Sequence, residues 1–141
     1  MAAPDPVKQR EEALLWLGRA ERDLAAARLA MDAPEPLPDI AAYHLQQAAE
    51  KLLKAVLTTD AIPFRRTHDL GLLGEQVSGA RPALHCVISP LRSYSDWSFA
   101  FRYPGAPSEA YPEPLPAELA QALAEVTALR DVVADLLAAD R

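Results

Sequence analysis

The sequence predicts an all-α fold, an antiparallel up-and-down bundle of four to five helices. All thirteen prolines lie outside three long windows, residues 7–33, 39–62 and 117–141, and proline disrupts the interior of a helix. Each window places apolar residues three and four positions apart, which is the spacing of one helix face. No segment alternates apolar and polar residues over enough positions to predict a strand. We therefore expect one helical domain over residues 1–141.

The first window predicts a long amphipathic helix that ends near Met31. Its apolar face consists of Ala13, Leu17, Ala20, Leu24, Ala27 and Met31, with Trp16 at the edge. Charged residues, among them Arg10, Glu21 and Arg22, occupy the remaining surface. This distribution indicates a helix that buries one side against a core and leaves the other in solvent.

The second window predicts a helix with an apolar face and, opposite to it, a polar ridge. The apolar face is formed by Ala41, Leu45, Ala48, Ala49, Leu52 and Val56. The ridge is formed by Tyr43, Gln47, Glu50 and Lys54, and Gln46 and Lys51 flank it. Two interpretations stay open. The ridge is a solvated face with a Glu50–Lys54 pair that contributes about 0.3–0.5 kcal/mol, or it lines a groove or a subunit interface.

A short helix is predicted after the second window. Thr67 or Asp69 can cap its start, because a side-chain oxygen at that position accepts a hydrogen bond from a free backbone N–H group. The helix should continue to about Gln76 and end near Gly79, where glycine favours a helix terminus.

A further helix is predicted from Pro82 towards Phe101, with a kink at Pro90. A proline-rich loop, residues 103–116, then leads into the last helix. The apolar face of that last helix consists of Leu119, Leu123, Val126, Val133, Leu136 and Leu137. Long loops of this type are often functional, so the loop is a candidate part of a site.

Charge and composition exclude several classes of function. The net charge is −6, which argues against a protein that holds nucleic acid by bulk electrostatics, so any phosphate contact would be local. The single Cys86 cannot form an internal disulfide, and Met1–Glu12 lacks a signal-peptide pattern, so we expect a cytoplasmic protein. No apolar run approaches the roughly 18 residues that a membrane span needs, so we expect no membrane association.

The three histidines do not form a metal-binding pattern. No two of His44, His68 and His85 are three or four residues apart, and Cys86 directly follows His85. The sequence also lacks a glycine-rich phosphate loop and a recognisable catalytic triad. We therefore expect neither a metal site nor a cofactor.

Four segments resemble, in the same order, the motifs of the HEPN domain family. These are Ala20, Asp23, Leu24 and Ala27 in the first helix; Gln-Gln-Ala-Ala-Glu-Lys-x-x-Lys-Ala from Gln46 to Ala55; Thr67-His68-Asp69-Leu70; and Arg102-Tyr103-Pro104. The resemblance covers nearly the whole chain. It implies a helical domain of a family named for a proposed nucleotide-binding role, often partnered by a separately encoded minimal nucleotidyltransferase.

Many members of the family are ribonucleases that carry an arginine followed, four to six residues later, by a histidine in a homodimer groove. Such a pair supplies proton transfer and holds phosphate charge. In this chain Arg102 is present, but the corresponding positions hold Pro107, Ser108 and Glu109. We therefore assign no catalytic residue, and Arg102 remains only a weak candidate.

The resemblance favours a non-catalytic homodimer that binds a nucleotide or a minimal nucleotidyltransferase within a toxin–antitoxin type of system. The aromatic cluster of Trp97, Phe99, Phe101 and Tyr103 also predicts a homodimer, because a small bundle has already filled its core. The candidate groove or ligand-binding residues are Gln47, Glu50, Lys51, Lys54, His68, Arg102 and Tyr103. Two alternatives stay open: an RNA-cleaving toxin with a degenerate Arg-x(4–6)-His motif, and a structural bundle without a ligand.

Overall fold

A computed structural model describes residues 3–101 and 111–139 of the chain. These residues form five α-helices: α1 (Pro6–Asp32), α2 (Pro38–Thr59), α3 (Leu70–Ala80), α4 (His85–Ile88) and α5 (Pro116–Ala139). Two 3₁₀ helices, Pro82–Leu84 and Ser89–Ser98, flank α4. No strand occurs in the described ranges, and the predicted all-α bundle is confirmed.

Helix α2 lies at the centre of the bundle. Helix α1 packs along it, and α3, α5 and the second 3₁₀ helix contact its other sides. Buried residues therefore occur around nearly the whole circumference of α2, including Leu45, Leu52 and Leu57. A helix enclosed in this way has no broad solvated face.

The predicted polar ridge is consequently buried, and the interpretation as a solvated face is wrong. Gln46, Gln47, Glu50 and Lys54 all lie among the buried residues, and Lys51 is only partly exposed. The apolar periodicity correctly identified one packed side of α2. It did not indicate that α1 and the segment after α2 would also cover the polar side.

Side-chain caps define the starts of two helices. At α1 the carboxylate of Asp5 accepts a hydrogen bond from the backbone N–H of Val7 at 3.0 Å. At α3 Asp69 Oδ1 accepts from the amides of Gly71 and Leu72 at 2.8 and 3.2 Å, so Asp69 is the cap. Thr67 instead accepts from the amide of Asp69 at 3.0 Å. Thr67 thus supports the cap residue from two positions earlier in the chain.

The prediction of a single kinked helix from Pro82 towards Phe101 is wrong. The chain forms a 3₁₀ turn, the four-residue α4 and then the 3₁₀ helix Ser89–Ser98. Pro90 accounts for the change, because it has no N–H to donate and its ring clashes with the carbonyl four residues earlier in an α-helix. Ile88, Leu91 and Tyr94 of this segment are still buried in the core.

Helix α5 closes the bundle with a face of Leu119, Ala122, Val126, Leu129, Val133 and Leu137. The predicted Leu123 and Leu136 are only partly buried at its edge. The hydroxyl of Tyr94 donates to Glu125 at 2.7 Å and thereby links the second 3₁₀ helix to α5. None of the described helices combines the length and apolarity required to span a bilayer.

Two members of the aromatic cluster that predicted a homodimer pack within the chain itself. Trp97 stacks on Tyr94 with ring centroids 4.7 Å apart, and Phe101 packs against the core. Phe99 is the exposed member, at 45 % of its surface, and Tyr103 lies outside the described residues. The homodimer stays a prediction, but this cluster supplies less free apolar surface than its composition indicated.

Candidate functional site

Glu50 lies at the centre of a buried polar network. Its side chain is only 5 % exposed, and its carboxylate contacts Lys54 Nζ at 3.0 Å, His68 Nδ1 at 2.6 Å and Gln46 Nε2 at 3.4 Å. A carboxylate facing an ammonium is an acceptor, so Nδ1 of His68 is the atom that carries the proton. The network therefore orients the imidazole and leaves its Nε2 for other contacts.

Lys54 is held by aromatic rings as well as by Glu50. Its Nζ lies 5.4 Å from the ring centroid of Trp16 and 5.7 Å from that of Phe64. The two rings meet edge to face at 6.3 Å and belong to α1 and to the segment after α2. These contacts compensate the burial of the ammonium. Lys54 is therefore enclosed, and it is not available as a surface cation.

A second network joins α1 to α2. Asp23 Oδ1 contacts Nδ1 of His44 at 2.8 Å, and its Oδ2 accepts from Nζ of Lys51 at 2.5 Å. Asp23 is buried, whereas the side chains of His44 and Lys51 are partly exposed. The charge of Lys51 is thus balanced by a buried carboxylate on the neighbouring helix.

His68 lies at the edge of a groove of about 430 Å³. The groove is lined by His68, Asp69, Arg92, Ser95, Asp96, Ser98 and Phe99. Slightly more than half of the His68 side chain, 54 %, is exposed there. The volume is within the range of small-molecule sites, and the lining combines a guanidinium, an imidazole, carboxylates, hydroxyls and one aromatic ring. The groove can accommodate a polar ligand with a flat apolar part.

Arg92 forms one wall of this groove. It donates to Glu75 at 3.1 Å, and both side chains of the pair are exposed. Its guanidinium also lies against Gly71, where an added Cβ would be 2.9 Å from Nε. A glycine at the start of α3 thus lets the arginine approach the helix backbone. An exposed ion pair is weak, so Arg92 can exchange its partner for a ligand at low cost.

No group of three or more histidine, cysteine, aspartate or glutamate side chains suited to a metal ion occurs among the residues that the structure describes. His44 and His68 each contact a different carboxylate, Asp23 and Glu50. In both contacts the carboxylate fixes the orientation of an imidazole.

The structure brings together only some of the residues predicted for the site. Glu50, Lys54 and His68 form the first network, and Gln47 joins it by donating to Gln46 Oε1 at 2.7 Å. Lys51 belongs to the second network. Arg102 and Tyr103 lie outside the described residues, as does most of the predicted 103–116 loop.

Five participants in the two networks were not predicted as site residues: Asp23, His44, Gln46, Trp16 and Phe64. The sequence could have indicated Asp23, because this acidic residue adjoins the apolar face of α1 that contains Ala20, Leu24 and Ala27. Such a carboxylate requires a partner when it is buried. The roles of Trp16 and Phe64 depend on the meeting of two segments that are distant in sequence, and no local pattern indicates it.

The comparison with protein families agrees with this architecture. The HEPN domain model matches residues 13–136, a range that contains both polar networks and the groove beside His68. Comparisons with curated proteins and with solved structures gave no significant match. The family assignment therefore rests on the domain model, which covers nearly the whole chain. The chain belongs to the HEPN domain family.

Proposed function

We propose that this chain is a non-catalytic homodimer that binds a nucleotide in the groove beside His68. Its partner would be a minimal nucleotidyltransferase in a toxin–antitoxin type of system. The observation that carries the proposal is the 2.6 Å contact between Nδ1 of His68 and the buried carboxylate of Glu50. A buried, charge-balanced network that orients a half-exposed imidazole is a pre-organised binding group.

The chemistry of the groove supports a nucleotide as the ligand. The exposed ring of Phe99 offers a stacking surface for a base, and the carboxylate of Asp96 can accept hydrogen bonds from ribose hydroxyls. The guanidinium of Arg92 is suited to phosphate oxygens, and Nε2 of His68 can donate to them once the imidazole carries a second proton. These groups together match the three parts of a mononucleotide.

The ion pairs of the two lysines favour the groove beside His68, rather than the α2 ridge, as the binding surface. Lys51 and Lys54 are both neutralised by carboxylates of the same chain. A ligand would have to break these pairs to use either ammonium, which is costly for Lys54 because its surroundings are buried. His68 and Arg92 are therefore more accessible than Lys51 and Lys54 for binding a phosphate.

Isothermal titration calorimetry with nucleoside mono-, di- and triphosphates tests nucleotide binding. We expect at least one nucleotide to bind, and we expect His68→Asn to weaken that binding by about 10-fold or more, since a charge-assisted contact is lost. His85→Asn is the matched control, because His85 is exposed and lies outside this groove. No binding by wild type, or equal binding by both variants, would contradict the proposal.

The partner is tested separately by co-expression with a minimal nucleotidyltransferase encoded beside this chain. We expect the two proteins to co-purify through size-exclusion chromatography. A nucleotidyltransferase that elutes alone, from a preparation in which this chain is folded, would remove the partner from the proposal and leave nucleotide binding unaffected.

A second candidate function is RNA cleavage with an altered active site. The observation that favours it is again the His68–Glu50 pair, because a carboxylate that orients an imidazole is an arrangement suited to general acid–base chemistry. His68 would then supply the imidazole that is missing after Arg102. Metal-independent cleavage of a fluorogenic RNA by wild type, lost in both His68→Asn and Arg102→Ala, would replace the non-catalytic proposal.

A further inference from the structure

A small cavity of about 220 Å³ lies between α3 and the segment that contains α4 and the start of the second 3₁₀ helix. Leu70 and Ile88, which are both buried, form its apolar wall. Gly71 and Gly74 also line it and have no side chain that would fill it. Sites for drug-sized ligands measure roughly 300–1,000 Å³, so the cavity fits a smaller molecule.

Arg92 and Glu75 bring one charge of each sign to this cavity. Nη2 of Arg92 donates to Oε1 of Glu75 at 3.1 Å, and neither side chain makes another hydrogen bond within the described residues. This contact uses one of the five N–H donors of the guanidinium and one of the two carboxylate oxygens. The remaining donors and the second oxygen are therefore available to a ligand that leaves the ion pair intact.

These two charges determine which class of ligand fits. Glu75 repels a simple anion and Arg92 repels a simple cation, whereas a zwitterion pairs with both. In a free α-amino acid the ammonium nitrogen and the carboxylate oxygens are about 3 Å apart, because one carbon atom joins the two groups. This spacing matches the 3.1 Å between Nη2 of Arg92 and Oε1 of Glu75. The two dipoles can therefore lie side by side in opposite directions.

The rest of the polar lining consists of the hydroxyls of Ser78 and Ser89 and the imidazole of His85. Nδ1 of His85 lies 3.4 Å from Oγ of Ser78, which is long for a hydrogen bond, so this contact is weak. Hydroxyl groups can both donate and accept. Together with the apolar wall, they suit a short side chain that is apolar or carries a hydroxyl group.

We propose that this cavity binds a free α-amino acid with a short side chain. The carboxylate of the ligand accepts from the guanidinium of Arg92, its ammonium donates to Glu75, and its side chain packs on Leu70 and Ile88. This proposal does not depend on nucleotide binding. Arg92 lines both this cavity and the groove beside His68, so the test uses Glu75 and Ser89, which are absent from the lining of that groove.

Titration of ¹⁵N-labelled protein with L-alanine, L-serine, L-threonine and L-valine, followed by NMR, tests the proposal. We expect at least one of them to bind with a Kd of about 1 mM or tighter, as suits so small a ligand. Binding should shift the amide signals of Gly71 and Gly74, whereas that of Gly18 in α1 should stay in place. The N-acetyl and the amide derivatives of the amino acid that binds most tightly should each bind about 10-fold or more weakly, because each lacks one charge.

Two variants test whether the cavity is the site. Glu75→Gln removes the partner of the ammonium, and Ser89→Leu fills the cavity without changing the ion pair. Each should weaken binding by about 10-fold or more. The matched controls are Asp135→Asn, at an exposed carboxylate of α5, and Ser93→Leu, at an exposed serine of the same 3₁₀ helix. Both lie outside the cavity and should bind as wild type does. Circular dichroism verifies that all four variants are folded.

The outcomes separate this inference from the proposed function. Signals of Gly71 and Gly74 that none of the four amino acids shifts would overturn the amino-acid site. Equal binding of the two derivatives would overturn recognition of a zwitterion, and unchanged affinity in folded Glu75→Gln and Ser89→Leu would overturn the cavity as its location. A wild type that binds a nucleotide but no amino acid would retain the proposed function and lose only this inference.

Discussion

Glu50 shows how a single buried charge is made tolerable in this bundle. The carboxylate is almost fully enclosed, and an ammonium, an imidazole and an amide surround it. Desolvation of two opposite charges roughly offsets their attraction, so the pair adds little net stability. Removal of one partner is different, because it leaves the other charge buried and unpaired. The network is thus better understood as a device that orients His68.

Glu50→Gln should lower the free energy of unfolding by about 3 kcal/mol, since Lys54 would lose its charge partner in a buried position. Urea denaturation followed by circular dichroism measures the change. Glu75→Gln is the matched control. It breaks the exposed pair with Arg92 and should cost less than about 1 kcal/mol. Equal losses in the two variants would contradict the structural role of Glu50.

Only part of the site was predictable from sequence, and its groove residues Arg92, Asp96 and Phe99 were not predicted as site residues. Glu50, Lys54 and His68 were all selected because they belong to the motifs that resemble the family. Their burial was missed, because periodicity describes one helix and does not show what covers its other side. His44 was set aside because its spacing does not fit a metal site, although its partner is a carboxylate on another helix.

At the scale of elements, proline positions predicted the helix boundaries well. Helices α1, α2 and α5 each begin at a proline and coincide closely with the proline-free windows. The segment after Pro82 could not be predicted in the same way, because a proline can kink an α-helix or convert it to a 3₁₀ helix.

Two helical glycines should respond to alanine in opposite directions. Gly18 lies in the middle of α1 with no atom within 4 Å of an added Cβ, so Gly18→Ala should stabilise the protein by about 0.5–1 kcal/mol. At Gly74 in α3 the Cβ would be 2.9 Å from Cγ2 of the buried Ile88, so Gly74→Ala should destabilise. Thermal unfolding of both variants measures the contrast. A loss of stability at Gly18 would indicate that something outside the described chain contacts it.

Tyr94 should make stability depend on alkaline pH. Burial, and next the hydrogen bond to Glu125, raises the pKa of Tyr94 well above its ordinary value of 10. In the unfolded chain the phenol ionises near pH 10, whereas in the folded chain it keeps its proton. The stability it contributes is therefore present below pH 10 and declines as the pH rises further.

The comparison of wild type with Tyr94→Phe isolates this effect. We expect the variant to be less stable at pH 8 by about 1 kcal/mol, because a hydrogen bond is lost, yet to lose stability less steeply than wild type between pH 9.5 and 11. Urea denaturation at several pH values gives both slopes. Parallel slopes would mean that Tyr94 ionises equally in the folded and unfolded states.

At the scale of the whole molecule, the site follows from the central position of α2. Its polar side is enclosed by α1 and by the segment after α2, which forces the charges into networks and directs His68 to a groove. The bundle was predictable, because three long amphipathic segments indicate it. The groove was not, since it is assembled from the turn between α2 and α3, the second 3₁₀ helix and Phe99.

The central claim, that Glu50 holds His68 as the binding group of the groove, can be tested directly by ¹⁵N NMR of the imidazoles. The chain has only three histidines, so the spectrum is simple. We predict that neutral His68 carries its proton on Nδ1. Its Nε2 signal should shift when the nucleotide that binds most tightly in calorimetry is added, while the signals of His44 and His85 stay in place. A proton on Nε2 of free His68, or an unchanged His68 signal at saturating nucleotide, would contradict the claim.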